Sequence, residues 1–130
     1  MAALDTAQDA GILDGIRIVD LSDGIAGPVA TLMLAEAGAD VVAVEPPGGA
    51  ANRATNGFHT WMRSKRSVVL DLDQADDRAA LDRLLAAADV VVHGYGPTRA
   101  RELGLDDESL TARFPQLIVS SATQIGRAHV

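Results

Sequence analysis

Residues 16–44 read IRIVDLSDGIAGPVATLMLAEAGADVVAV, and this stretch decides the fold. Ile16–Leu21 is a short apolar run of the length of a buried strand. Val41–Val44 is a second run of the same kind, dominated by β-branched valine. Between them, Pro28 suits the first turn of a helix, where its missing N–H has no partner to lose. Val29 to Ala37 predicts a helix that is apolar on nearly every side and therefore deeply buried. Gly38 suits a left-handed stop after it. Strand, helix and strand over this length make a βαβ unit, with parallel strands and a right-handed crossover.

The same alternation continues downstream. Pro46 to Gly57 (PPGGAANRATNG) is rich in turn formers and reads as a loop. Phe58 to Arg63, which holds Trp61, reads as a short helix or irregular segment. Val68–Leu72 is a third strand. Asp73 has the chemistry of an N-cap, and Asp76 and Asp77 suit the positive end of the helix it would open. Leu81, Leu84, Leu85 and Ala88 then recur at helical spacing. Val90–Val92 is a fourth strand. Thr98–Leu103 and Asp107–Arg113 are two short helices, separated by Gly104 and ended before Pro115. Leu117–Val119 is a fifth strand. The expected fold is α/β: one Rossmann-like, doubly wound, mainly parallel sheet of about five strands over residues 13–124, after a disordered lead over residues 1–12.

Composition narrows the function. The chain has 130 residues, 48% of them hydrophobic, which suits one globular domain with a core. No apolar run approaches the roughly 20 residues of a membrane span. Met1 to Gly11 has neither the basic start nor the apolar stretch of a signal peptide, so a cytoplasmic protein is expected. There is no cysteine, which excludes disulfides and thiolate metal sites. His59, His93 and His129 have no ligand spacing, so no metal is expected. A net charge of −7 is unfavourable for nucleic acid, whose affinity rests on phosphate neutralisation. Arg63, Lys65 and Arg66 are a local exception, either a solvated basic turn before a strand or a seat for phosphate groups.

In a doubly wound sheet, ligands bind beyond the carboxyl ends of the strands. Ser22–Gly27, Glu45–Gly49, His93–Pro97 and Ser120–Gln124 fall there, and three of these four carry glycine, which lets backbone approach a ligand closely. A dinucleotide enzyme is the first rival, with Glu45 placed to bind a ribose hydroxyl. Against it, Asp23–Pro28 lacks G-x-G-x-x-G, and Pro28 removes an N–H that would face a pyrophosphate. Ser120 and Ser121 lack the G-x-S-x-G elbow of a serine hydrolase. No catalytic constellation is visible.

The chain resembles the family III CoA-transferases, the carnitine-dehydratase and bile-acid-inducible group, from Leu13 to about Thr123. Leu13–Leu21 looks like the opening strand of that family and Ile25-Ala26-Gly27-Pro28 like its first CoA-contacting turn. Gly38–Val42 and Val44-Glu45-Pro46-Pro47-Gly48 are similar to its second strand and loop. Lys65–Leu72, Ala88–Val92 and Leu103-Gly104-Leu105 resemble further family segments. The resemblance implies a Rossmann-like CoA-binding domain, CoA or acyl-CoA and a carboxylic acid as substrates, and an interlocked homodimer. It implies that Gly24, Ile25 and Ala26 line the nucleotide end of the site, flanked by Pro46, Gly94 and Tyr95. Because CoA carries phosphates, it raises Lys65 and Arg66 to an even choice between phosphate seat and structural role.

Three departures matter. Ala43 stands where many members carry Lys or Arg. His93–Pro97 replaces the Glu-Asn-Phe type of sequence common in the transferases, and Gly94-Tyr95 is closer to the 2-methylacyl-CoA racemase branch. In both branches the residues that do the chemistry, a nucleophilic Asp in the transferases, lie downstream of Thr123, so a CoA-binding fragment with an incomplete sheet and outer helices is expected. The last six residues, Ile125–Val130, are what the common short-read sequencing adapter encodes in one frame, followed by a stop, so a non-native tail is expected there. A stand-alone CoA-binding module is the alternative from the binding class.

Overall fold

The computed structural model describes residues 11–123; the lead before Gly11 and the tail over residues 125–130 lie outside the described residues. β1 (Arg17–Leu21) leads into α1 (Ala26–Glu36) and β2 (Asp40–Glu45). A 3-10 turn (Ala51–Ala54) and the one-turn α2 (Phe58–Trp61) precede β3 (Arg66–Val69). Then come α3 (Ala75–Ala86), β4 (Val90–His93), α4 (Pro97–Leu103), α5 (Asp107–Arg113) and β5 (Ile118–Ser121). All five strands pair in parallel in the order β3-β2-β1-β4-β5. The expected α/β sheet is therefore present. The order reverses between β1 and β4, and the crevice at such a reversal is where doubly wound folds bind their ligands.

Strand alternation supplies two cores. Val19, Leu21, Val44, Leu70 and Val91 face α3, α4 and α5, where Leu81, Leu85, Leu103 and Leu110 close the main cluster. Ile18, Val41 and Val92 face α1 and meet Ala35 and Ala39. Among the described residues, that second face is covered only at its centre. Toward its edges, Val69 on β3 and Ile118 on β5 are 53% and 64% exposed.

Three expectations need correction. α1 begins at Ala26 rather than Val29, so Pro28 is its third residue, still within the first turn. Nor is α1 deeply buried. Gly27, Pro28, Thr31 and Ala35 are buried, while Ala26, Ala30 and Met33 are exposed, since no described element packs on that side. Asp73 also does not cap α3. Gln74 occupies the cap without a side-chain bond, and the Asp73 N–H donates to Asp71 Oδ1 at 3.1 Å. Asp76 and Asp77 do fall in the first turn, and Asp77 reaches back to accept the Asp71 N–H at 2.8 Å.

Candidate functional site

The carboxyl ends of β1, β2 and β3 surround a cavity of about 290 Å³. Ser22 and Asp23 enter from β1, Pro46 and Pro47 from β2, and Asp71 to Asp73 from β3. Tyr95 and Arg99 close it from beyond β4. A second, more open hollow of about 570 Å³ runs along Asp23, Gly24, Ile25 and Ala26 and faces Ala51, Asn52 and Thr55. Of the residues expected at the site, Gly24, Ile25 and Ala26 therefore share one hollow, and Pro46 and Tyr95 share the other. Gly94 is exposed between them: a side chain there would stand 3.9 Å from the Asp23 nitrogen and 3.5 Å from the Ala122 carbonyl oxygen.

Buried polar groups hold this edge in shape. Gly24 has φ of +76°, in the left-handed region that glycine tolerates. Its N–H donates to Asp23 Oδ1 at 2.7 Å, and its carbonyl accepts from Asn52 Nδ2 at 3.0 Å. Asn52 is buried and ties the β1–α1 turn to the β2 loop. Glu45, also buried, receives Arg53 through both oxygens at 2.6 and 2.9 Å and the Ala50 N–H at 3.0 Å. The hydrogen bond from Arg53 outweighs burial and holds the Glu45 carboxyl below its ordinary value. That carboxylate is committed to the loop, which leaves little capacity for a ribose hydroxyl.

Asp20 is the centre of a second cluster. It accepts the Ser22 N–H at 2.9 Å, the Ser22 hydroxyl, and the Thr31 hydroxyl at 2.5 Å. The Lys65 ammonium donates to Asp20 Oδ2 at 3.3 Å and to the Pro28 carbonyl at 2.9 Å. Its side chain is 0% exposed. Burial, opposed in part by Asp20, holds the Lys65 pKa below its ordinary value. Arg66 instead sits at the start of β3 beside Val42 and makes a two-point contact with Asp40 at 2.7 and 2.8 Å, at the amino edge of the sheet. Arg63 pairs with Glu36 at 2.9 Å. Tyr95 stacks on His93, their ring centroids 5.7 Å apart, and burial pushes the Tyr95 phenol up.

Residues 13–128 match the family model described as CoA-transferase family III. The chain belongs to that family. It is 39% identical over 131 residues to the succinate–glutarate CoA-transferase of Agrobacterium fabrum, covering 88% of this chain and 33% of the relative. It is 34% identical over 134 residues to a probable fatty acyl-CoA transferase of Mycobacterium tuberculosis, covering 95% of this chain and 34% of the relative. A crystal structure of that mycobacterial protein superposes with a TM-score of 0.81 at 37% identity, covering 91% of this chain and 35% of the other. A CAIB/BAIF family protein from Brucella suis gives 0.79 at 34% identity, covering 87% of this chain and 33% of the other. The chain thus spans about a third of the length of these relatives. A likeness to a structure titled a betaketoacyl-ACP reductase, at 20% identity and a TM-score of 0.51, reflects the shared fold alone.

Set against this family III chain's expected site, the basic cluster divides. Lys65 and Arg66 do not line either hollow, and the buried bonds of Lys65 match the structural role of the two considered. The cation that does line the main cavity is Arg99, half-exposed and loosely paired with Asp73 at 3.7 Å and Glu102 at 3.5 Å. Sequence reading missed Arg99 and Asn52. Arg99 stands in the first turn of the helix after β4, next to the strand-order reversal, and that position was a usable signal once strand order was known. Asn52 had no such signal, because it is one polar residue in a loop of turn formers. Among the described residues no group of three or more His, Asp or Glu is placed to hold a metal ion, and no helix is long and apolar enough to cross a membrane.

Proposed function

We propose that this chain is the CoA-binding portion of an acyl-CoA:carboxylate CoA-transferase. The observation that carries the reading is the pair of hollows at the carboxyl edge, beside the strand-order reversal, in a chain of this family. Gly24 and Ala26 offer backbone, Ile25 and Tyr95 offer apolar surface, and Pro46 and Gly94 shape the rim. Arg99 supplies a cation for a phosphate of CoA, a role for which the sequence left Lys65 and Arg66 at an even choice with a structural one. The α1 N-terminus, which has no side-chain cap and lacks an N–H at Pro28, adds a weaker attraction for anions.

Transfer of CoA between a thioester and a carboxylic acid belongs to the same proposal. It assigns the nucleophilic carboxylate to a segment downstream of Thr123, as the family resemblance implies. An interlocked homodimer is the proposed assembly. The exposed apolar side of α1 and the uncovered Val69 and Ile118 offer surface for such packing and predict self-association of the isolated chain. The 2-methylacyl-CoA racemase reading is favoured only by Gly94-Tyr95. Titration of the chain with CoA and, separately, with NAD⁺ tests the ligand. Binding of CoA alone is expected; binding of NAD⁺ alone would replace the reading with an oxidoreductase.

A further inference from the structure

Lys65 is the chain's single lysine, and it is buried far from the surface role that lysine usually has. Burying an ion pair is costly, and such pairs are often replaceable by apolar groups without loss of stability. The contacts of this one are therefore informative. Asp20, at the end of β1, receives Ser22, the first residue of the turn, through both its N–H and its hydroxyl. It also receives Thr31 from α1. Lys65, arriving from the segment before β3, bonds Asp20 and the carbonyl of Pro28, the residue where the turn has become helix. Gly24, at the turn's apex, is held by Asn52. The turn from Ser22 to Pro28 is thus fixed at its start, its apex and its end, and Lys65 joins the start to the end.

The packing leaves the turn little freedom to find the same place by other means. Gly27 lies so close to Ser22 that an added Cβ would stand 2.3 Å from the Ser22 side chain. A small shift of Pro28 relative to Asp20 therefore moves Gly24, Ile25 and Ala26 as a unit. Lysine suits this position because its ammonium is a compact donor on a long stem, able to satisfy a carboxylate and a carbonyl together.

We propose that Lys65 is a positioning residue for the ligand-contacting turn. Through Asp20 and the Pro28 carbonyl it sets where Gly24 to Ala26 present their backbone, and so controls affinity for the nucleotide part of CoA without touching it. The proposal rests on the CoA reading of that turn, and its test separates the two.

The full 130-residue chain is followed by amide hydrogen exchange without ligand and by calorimetric titration with CoA, as wild type, Lys65→Met, and the double variant Asp20→Asn with Lys65→Met. In Lys65→Met the amides of residues 22–28 are expected to exchange about tenfold faster while those of β4 hold, and CoA affinity falls by about tenfold. In the double variant no unpaired charge is left buried, so the thermal midpoint returns toward wild type. The tie from Lys65 to the Pro28 carbonyl is still missing, with the Thr31 hydroxyl left there at 3.2 Å, so the turn stays fast and affinity stays low. Return of midpoint, turn protection and affinity together would make the pair merely structural and overturn the proposal. A folded Lys65→Met with wild-type exchange in the turn would also overturn it. If wild type fails to bind CoA, the functional reading falls, while the exchange comparison still decides whether Lys65 fixes the turn.

Discussion

Lys65 and Arg66 are neighbours in sequence and each pairs with an aspartate, yet the two pairs belong to different ends of the sheet. At the amino edge, Arg66 meets Asp40 with both partners largely exposed. At the carboxyl side, Lys65 meets Asp20 with both side chains almost wholly buried. Water already solvates the Arg66 pair, so its removal changes little. Nothing solvates the Lys65 pair, so each partner depends on the other. The contrast shows that a basic cluster in a sequence has no single meaning. One member ties down the strand ends, and the next is built into the support of a turn. Glu45 and Arg53 fall between them, a buried carboxylate held by a half-exposed guanidinium.

The comparison orders the expected effects of mutation. Asp20→Ala strands a buried ammonium and removes the acceptor for Ser22 and Thr31, and should lower stability by about 3–5 kcal/mol in urea unfolding. Gly27→Ala pushes a methyl group against Ser22 and should cost about 1–3 kcal/mol, read from the same transition. Arg53→Ala leaves Glu45 buried without its main donor, at a cost of about 1–3 kcal/mol. Glu45 also gives the protein an acid limit. Its folded pKa lies below the ordinary 4.5, so its contribution is complete above 4.5 and is lost as pH falls through the folded value. An Arg53→Ala chain should lose that part of the acid dependence. Arg66→Ala should change stability by less than about 1 kcal/mol, and added salt should shrink even that. An Arg66 effect as large as that of Asp20 would erase the distinction between the two edges.

The sheet was legible because buried parallel strands need apolar runs, and Ile18-Val19, Val41–Val44 and Val90–Val92 have no other good use. Boundaries moved by a residue or two where strand hydrogen bonding runs past the apolar run, as at Glu45 and His93, while the third strand, expected over Val68–Leu72, starts at Arg66 and already stops at Val69. The extent of α1 was harder. Ser22–Gly27 carries two glycines, and these concealed a helix that already starts at Ala26. Its burial was overestimated because apolar residues on every side say only that each side tolerates cover, not that a described element supplies it.

At the site, glycine-bearing loops at strand ends pointed to Ser22–Gly27, Glu45–Gly49 and His93–Pro97 at the carboxyl edge, and it was the family resemblance that singled out Gly24, Ile25, Ala26, Pro46, Gly94 and Tyr95 within them. The polar supports were not legible. Asp20 and Lys65 are 45 positions apart, and Asn52 meets Gly24 across 28. Neither pairing leaves a local pattern, because it is the sheet order that brings the partners together. The same holds for Arg99 and Asp73, which meet at the cavity only once β3 and β4 have taken their places on either side of β2 and β1.

Amide hydrogen exchange of the chain with and without saturating CoA tests the central claim most directly, that the ligand sits on the carboxyl edge at the strand-order reversal. The account predicts added protection in residues 22–28, 46–52 and 94–99, and none around Asp40, Arg66 and Asp89 at the amino edge. Protection confined to the amino edge, or none anywhere at saturating CoA, would contradict it.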